Sequence, residues 1–111
     1  MELDQLTEEA TLLHANICAA LADPKRILIL YALSEKNANV SELAKMIKTS
    51  QPTASRHLKI LRERGMVIPE RHGASVVYQL TDQRFIEALD ILRSILRDRI
   101  RHQANLIQKE T

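Results

Sequence analysis

The chain has 111 residues, enough for one domain around a single core and too few for two. Hydrophobic residues make up 45% of it, but aromatics only 3% with no Trp, so the core must come from Leu, Ile, Val and Ala, which points to helix packing. The formal net charge is only +2, yet it is uneven: residues 1–40 carry three Lys/Arg against six Asp/Glu, residues 41–80 seven against three, and residues 81–111 six against five, so the basic excess marks the middle segment as a candidate nucleic-acid face.

Residues 2–21 are predicted to form a first amphipathic helix, with Leu6, Leu13, Ile17 and Leu21 apolar. Glu2, Asp4, Glu8 and Glu9 crowd its front, where acids suit the positive end of a helix. The start, MELDQLTEE, is acidic rather than signal-like, and no apolar run reaches membrane-span length, so no membrane partner is expected. Cys18, the only cysteine, excludes an internal disulfide framework and fits a reducing cytoplasm, the expected location. Asp23-Pro24 is a cap followed by Pro at the first helical position. It starts a second helix through Ile27, Leu28, Leu30, Tyr31 and Leu33, apolar nearly all round and so the central core helix. Ser34 to Asn39 is expected to be a polar loop.

From Val40 to Gly65 the spacing predicts two short helices joined by a tight turn. Val40, Leu43, Ala44 and Ile47 fall at i, i+3, i+4, i+7, with Ser41 at the front as a candidate cap. Lys48-Thr49-Ser50 breaks that pattern. Ser50 then caps a second helix that tolerates Pro52 in its first turn, buries Ala54, Leu58 and Leu61, and stops at Gly65. Its opposite face carries Arg56, Lys59, Pro52 and Glu63, with Thr53 and Ser55 on the shoulders and Gln51 at the leading end. Those donors suit phosphates and base edges in a major groove. A generic helical hairpin would fit the apolar spacing alone, so the following segment decides between them.

After Gly65 the period changes from 3.6 to 2. Val67–Arg71 and Ser75–Leu80 flank His72-Gly73-Ala74, which predicts a short antiparallel hairpin with Arg71 and His72 at its tip. A charged hairpin tip is most often plain soluble surface, but beside a basic helix it reads as a wing that grips DNA backbone or places Arg in a minor groove. Thr81 or Asp82 caps a last helix, 82–107, with Phe85, Leu89, Leu92, Leu96, Ile100 and Ile107 at spacings mostly of three and four. A stripe of that length exceeds what one small core can cover, and a second copy of the chain is its simplest partner.

The segments ALADPKRILILYAL (20–33), VSELAKMIKTSQPTASRHLKILRERGMV (40–67) and RHGASVVYQL (71–80) together resemble the ArsR/SmtB family of bacterial winged-helix repressors, over residues from about 10 to 108. The resemblance implies a mainly α winged helix-turn-helix fold in the order α-α-α-α-β-β-α. It also implies a homodimer through the first and last helices (2–21 and 82–107, with Ile17, Leu89, Leu92, Leu96 and Ile100 facing the partner). It further implies binding to a double-stranded operator that an inducer weakens. Ser50, Gln51, Thr53, Ser55, Arg56 and His57 become recognition-helix contacts within a helix-turn-helix at 41–64, and Arg71, His72 and Gly73 the tip of a wing at 66–80. His57 lies beside the buried stripe and is equally placed to bond within the protein.

The departures concern the inducer. Where many arsenic-type members carry Cys-x-Cys, this chain has Asn39, Val40 and Ser41, without the thiolates that soft metals require. Where zinc-type members carry Asp, His, His and an acid or His, it has Asp82, Arg84, Ile95 and Asp98. Neither metal site is expected, and no cofactor. The remaining candidate sensors are His14 with Cys18 on the first helix and Asp98 with His102 on the last, each pair four apart on one face, for a metal ion, a small inducer or an oxidant. Ordinary core packing of Cys18 and solvation of the histidines are the stronger account of them. A winged-helix module that binds protein rather than DNA is the rival function. An enzyme is not expected, since no nucleophile is paired with a base and two glycines leave no phosphate loop.

Overall fold

The computed structural model describes residues 2–110, with side chains described for 2–107. In order, the elements are α1 (Leu3–Leu13), a π-helical stretch His14–Cys18, α2 (Pro24–Glu35), β1 (Ala38–Asn39), α3 (Val40–Met46), α4 (Gln51–Glu63), β2 (Val67–His72), β3 (Ser75–Leu80) and α5 (Arg84–Glu110). This is the expected winged helix-turn-helix, with a third short strand and a break in the first helix added.

At the break the Ala19 N–H bonds the carbonyl of His14, five residues back, at 2.9 Å, and within the same stretch Asn16 Nδ2 donates to the Leu12 carbonyl at 2.9 Å.

Asp23 caps α2, its Oδ1 accepting from the Lys25 N–H at 2.8 Å, and Ile29, Leu30 and Leu33 make α2 the central core helix. The cap of α3 is Asn39 rather than Ser41. Asn39 Oδ1 accepts from the Glu42 N–H at 2.8 Å, and Glu42 returns a carboxylate to the Asn39 N–H at 3.1 Å, a reciprocal box that Ser41, already inside the helix, cannot make. Both helices of the helix-turn-helix end alike. The Thr49 N–H bonds the Ala44 carbonyl and the Met66 N–H the Leu61 carbonyl, each at 2.9 Å, around one left-handed residue: Lys48 (φ 56°) after α3 and Gly65 (φ 72°) after α4. Lys48 carries a side chain where glycine is the usual choice, and Lys25 Nζ supports that turn by donating to the Ile47 carbonyl at 2.7 Å.

The wing is a three-stranded antiparallel sheet in the order β1-β3-β2. His72 pairs with Ser75, leaving a two-residue turn, Gly73-Ala74, with Gly73 at φ 64°. Ala38 and Asn39, expected in a loop, pair instead with Tyr78 and Val77. Polar residues were poor strand signals there; the ready-made edge of β3 imposes the pairing. The Thr81 hydroxyl donates to the Gly65 carbonyl at 2.7 Å and ties the root of the hairpin to the end of α4.

One core joins α2, α3, α4, β2 and the start of α5 through Leu30, Leu43, Leu58, Leu61, Val67 and Ile86. The ends of the chain are different. No residue of α1 is buried, and α5, roughly 40 Å long at 1.5 Å per residue, leaves the core after Leu89. The Cα radius of gyration is therefore 17.5 Å, against about 13 Å for a compact chain of this length.

Candidate nucleic-acid interface

Helix α4 divides into the two faces that its spacing predicts. Ala54, Leu58 and Leu61 are fully buried, while Gln51, Ser55, Arg56 and Lys59 are exposed and Thr53 is half-buried. Ser50 caps the helix, its Oγ accepting from the Thr53 N–H at 3.3 Å and donating to Thr53 Oγ1 at 2.9 Å. Arg56 Nη2 donates to the same Thr53 oxygen at 3.1 Å. One chain of hydrogen bonds thus fixes Ser50, Thr53 and Arg56 along the leading face.

His57 does not share that face. Its Nδ1 lies 3.3 Å from Arg26 Nη1, on the side of α4 that faces α2. Arginine only donates, so Nδ1 is the acceptor in this contact. Arg26 also donates to the Ala20 carbonyl at 2.6 Å and the Ala19 carbonyl at 3.4 Å, which links the end of the first helical segment to α4. Sequence spacing could not show this link, because Arg26 and His57 lie 31 residues apart.

The wing residues also separate. Alternation along β2 puts Glu70 and His72 on one face, with His72 Nε2 3.6 Å from the Glu70 carboxylate. Arg71 goes to the other, beside Pro69, Val76, Tyr78 and, from α4, Arg62. Gly73 is at the exposed tip.

Of the residues expected at a dimer interface, Leu92, Leu96 and Ile100 are 56–58% exposed and Ile17 is half-buried against the core. Leu89 differs from them: it is 5% exposed and packs in the protomer's own core, at the point where α5 leaves it. Ile91 and Ile95 on α5, and Leu3, Leu12 and Leu13 on α1, add further exposed apolar surface.

The candidate sensors are all exposed. His14 and Cys18 are exposed on the π-helical stretch, and Asp98 and His102 are exposed along α5, beside an open groove of about 540 Å³ that also involves Ile95, Arg99 and Gln103. Among the described residues no three His, Cys, Asp or Glu side chains come together as metal ligands. Asp82, an acid that matched the zinc pattern, is held by Arg84 at 2.6 Å, and the guanidinium brings its carboxyl down to about 2. No described helix is long and apolar enough to cross a membrane.

Residues 23–68 match the family model described as "Bacterial regulatory protein, arsR family". The chain is 36% identical over 85 residues to the HTH-type transcriptional regulator NmtR of Mycobacterium tuberculosis, covering 77% of this chain and 71% of that one; it spans half the length of two other relatives. Among solved structures, the transcriptional repressor BigR from Xylella fastidiosa superposes with a TM-score of 0.73 at 30% identity, over 86% of this chain and 96% of that one. The homodimeric winged helix-turn-helix DNA-binding domain Mb0332 from Mycobacterium bovis does so with a TM-score of 0.72 at 25% identity, over 85% and 89%.

Proposed function

The chain belongs to the ArsR family of bacterial regulatory proteins and is a DNA-binding transcriptional regulator; from that premise we propose that two copies, paired through α1 and α5, repress transcription from a palindromic operator until an inducer releases them. The observation that carries this reading is the two-sided helix α4. Its Leu stripe is fully buried, which fixes the helix to the core, and its capped leading end presents Gln51, Thr53, Ser55 and Arg56 outward. An α-helix of this kind fits a major groove, and a two-fold pair sets two of them in successive grooves about 34 Å apart. The exposed apolar faces of α1 and α5 support the pairing, because a monomer would leave both in water. The cytoplasm is the compartment where such a protein meets its operator.

Mobility-shift titration of the chain's own upstream DNA tests the assignment. Arg56→Ala with Gln51→Ala should abolish the specific complex while leaving the fold intact, and Lys59→Ala should weaken all duplexes alike and reduce the salt slope by about one unit. Unchanged operator affinity in the double variant would refute the role of α4. Association that ignores salt and never shifts a duplex would instead favour a protein-binding module.

A further inference from the structure

An open cleft of about 300 Å³ lies between the C-terminal half of α4 and one face of the wing. Strand register builds its floor: Pro69 opposes Tyr78 and Arg71 opposes Val76, so these four share a face. Helix α4 sets Arg62 beside them. Arg56, Lys59 and Arg62 follow one another at a spacing of three, so a cationic row runs along α4 from its leading end to the cleft.

The charges in the cleft are unanswered. Arg26, Arg84 and Arg93 each have hydrogen-bond partners in the protein. The side chains of Arg62 and Arg71 have neither a hydrogen bond nor an ion pair to another described residue, and the Tyr78 hydroxyl has no partner among them either. Glu70, the acid nearest Arg71 in sequence, is on the opposite face with His72. Two guanidiniums and a phenol thus converge on an apolar floor with no carboxylate among the residues that line it. Planar guanidiniums match the paired oxygens of a phosphodiester, and a free hydroxyl adds a third donor.

We propose that this cleft is a seat for one backbone phosphate of duplex DNA, with Arg62 and Arg71 on its oxygens and Tyr78 donating its hydroxyl. The seat rests on the DNA-binding reading above and extends it from the leading end of α4 to the junction with the wing, where a strand backbone passes between the groove that holds the helix and the groove that receives the wing tip. A contact of this kind positions the protein and carries no base preference.

A phosphate contact needs no operator, so the test uses the full chain and a labelled duplex of arbitrary sequence, with anisotropy titrations over a series of NaCl concentrations. R62Q should bind more weakly and show a slope of log K against log salt shallower by about one unit, with R62Q/R71Q shallower still. R62K should restore the slope, Y78F should weaken binding without changing it, and R101Q, far along α5, should match wild type. Arg62 is exposed, so R62Q should melt with the wild type. A wild-type slope in both R62Q and R62Q/R71Q, from a protein that still binds the duplex, removes the seat but leaves the DNA-binding reading standing. A wild-type protein that binds no duplex at all overturns both.

Discussion

Tyr31 Oη donates to Asp90 Oδ1 at 2.6 Å, joining the middle of α2 to α5 across 59 positions of sequence. The Arg93 guanidinium lies 5.1 Å above the centre of the Tyr31 ring, and its Nη1 is 3.4 Å from the Tyr31 hydroxyl and 3.5 Å from Asp90. The latch forms where α5 leaves the core, so it sets the direction in which the long helix projects.

Removing the hydroxyl tests the latch. Tyr31→Phe keeps the ring and loses the bond, and it should cost about 1 kcal/mol in urea unfolding at neutral pH. Burial, then the Asp90 carboxylate, pushes the Tyr31 phenol above its ordinary value of 10.0. A raised phenol favours the neutral form, so its contribution is complete below that ordinary value and disappears as pH climbs through the raised one. Wild type should therefore lose stability in that alkaline range faster than Tyr31→Phe does.

The cap of the recognition helix has a double role. Ser50→Ala removes the acceptor for the Thr53 N–H and also the hydroxyl that holds Thr53, which in turn holds Arg56. Stability should fall by about 1 kcal/mol. Duplex affinity should fall further than Thr53→Val alone causes, measured by titration below the melting temperature.

Lys25 carries the turn between the two helices. Lys25→Met keeps the aliphatic stem but leaves the Ile47 carbonyl without its ammonium, at a cost of about 1 kcal/mol. Hydrogen exchange should quicken at the Lys48 and Thr49 amides, which close that turn, before it quickens in α4.

The pairing of protomers should fail when its apolar surface is charged. Leu96 and Ile100 are 58% and 56% exposed in the protomer, so Leu96→Glu with Ile100→Glu disturbs no core. Sedimentation should show a folded monomer with unchanged helical signal and much weaker operator binding. A double variant that remains dimeric would remove α5 from the interface.

At the start of α5, Asp82 accepts from the Arg84 N–H at 2.9 Å and from its guanidinium at 2.6 Å. The side-chain bond, then the backbone bond, holds the carboxyl at about 2, below its ordinary 3.8. A lowered carboxylate stabilises above its ordinary value and loses that contribution as pH falls towards 2. A carbon-detected NMR titration should find the Asp82 midpoint near 2, and Asp82→Asn should remove the pH dependence of α5 fraying in that range.

What was legible in the sequence is what periodicity and capping record. The Leu58 and Leu61 stripe, the Asp23 and Ser50 caps, the Gly65 stop and the Gly73 turn all follow from local rules, and so does the basic face of α4. What was hidden depends on contacts distant in sequence. Ala38 and Asn39 become a strand only because β3 offers an edge. Val40 marks the apolar start of α3 but conceals that Asn39, one place earlier, is its cap. Leu89 and Leu92 look alike on a helical wheel; only the point at which α5 leaves the core separates them. Arg26, Arg62 and Tyr78 are ordinary surface residues until the fold brings α2, α4 and the wing together. For Arg62 alone a signal existed, its place three residues after Lys59.

Asn39 belongs to two elements at once. Its backbone sits opposite Val77 in the sheet while its carboxamide closes the first turn of α3. The hairpin is consequently not a free lever. Its inner strand is stitched to the helix-turn-helix on one side by Asn39 and on the other by Thr81, so its tip and the recognition helix swing as a single jaw. On the proposed DNA-binding reading, the gap a duplex meets between them is set at the root of the hairpin by these two ties.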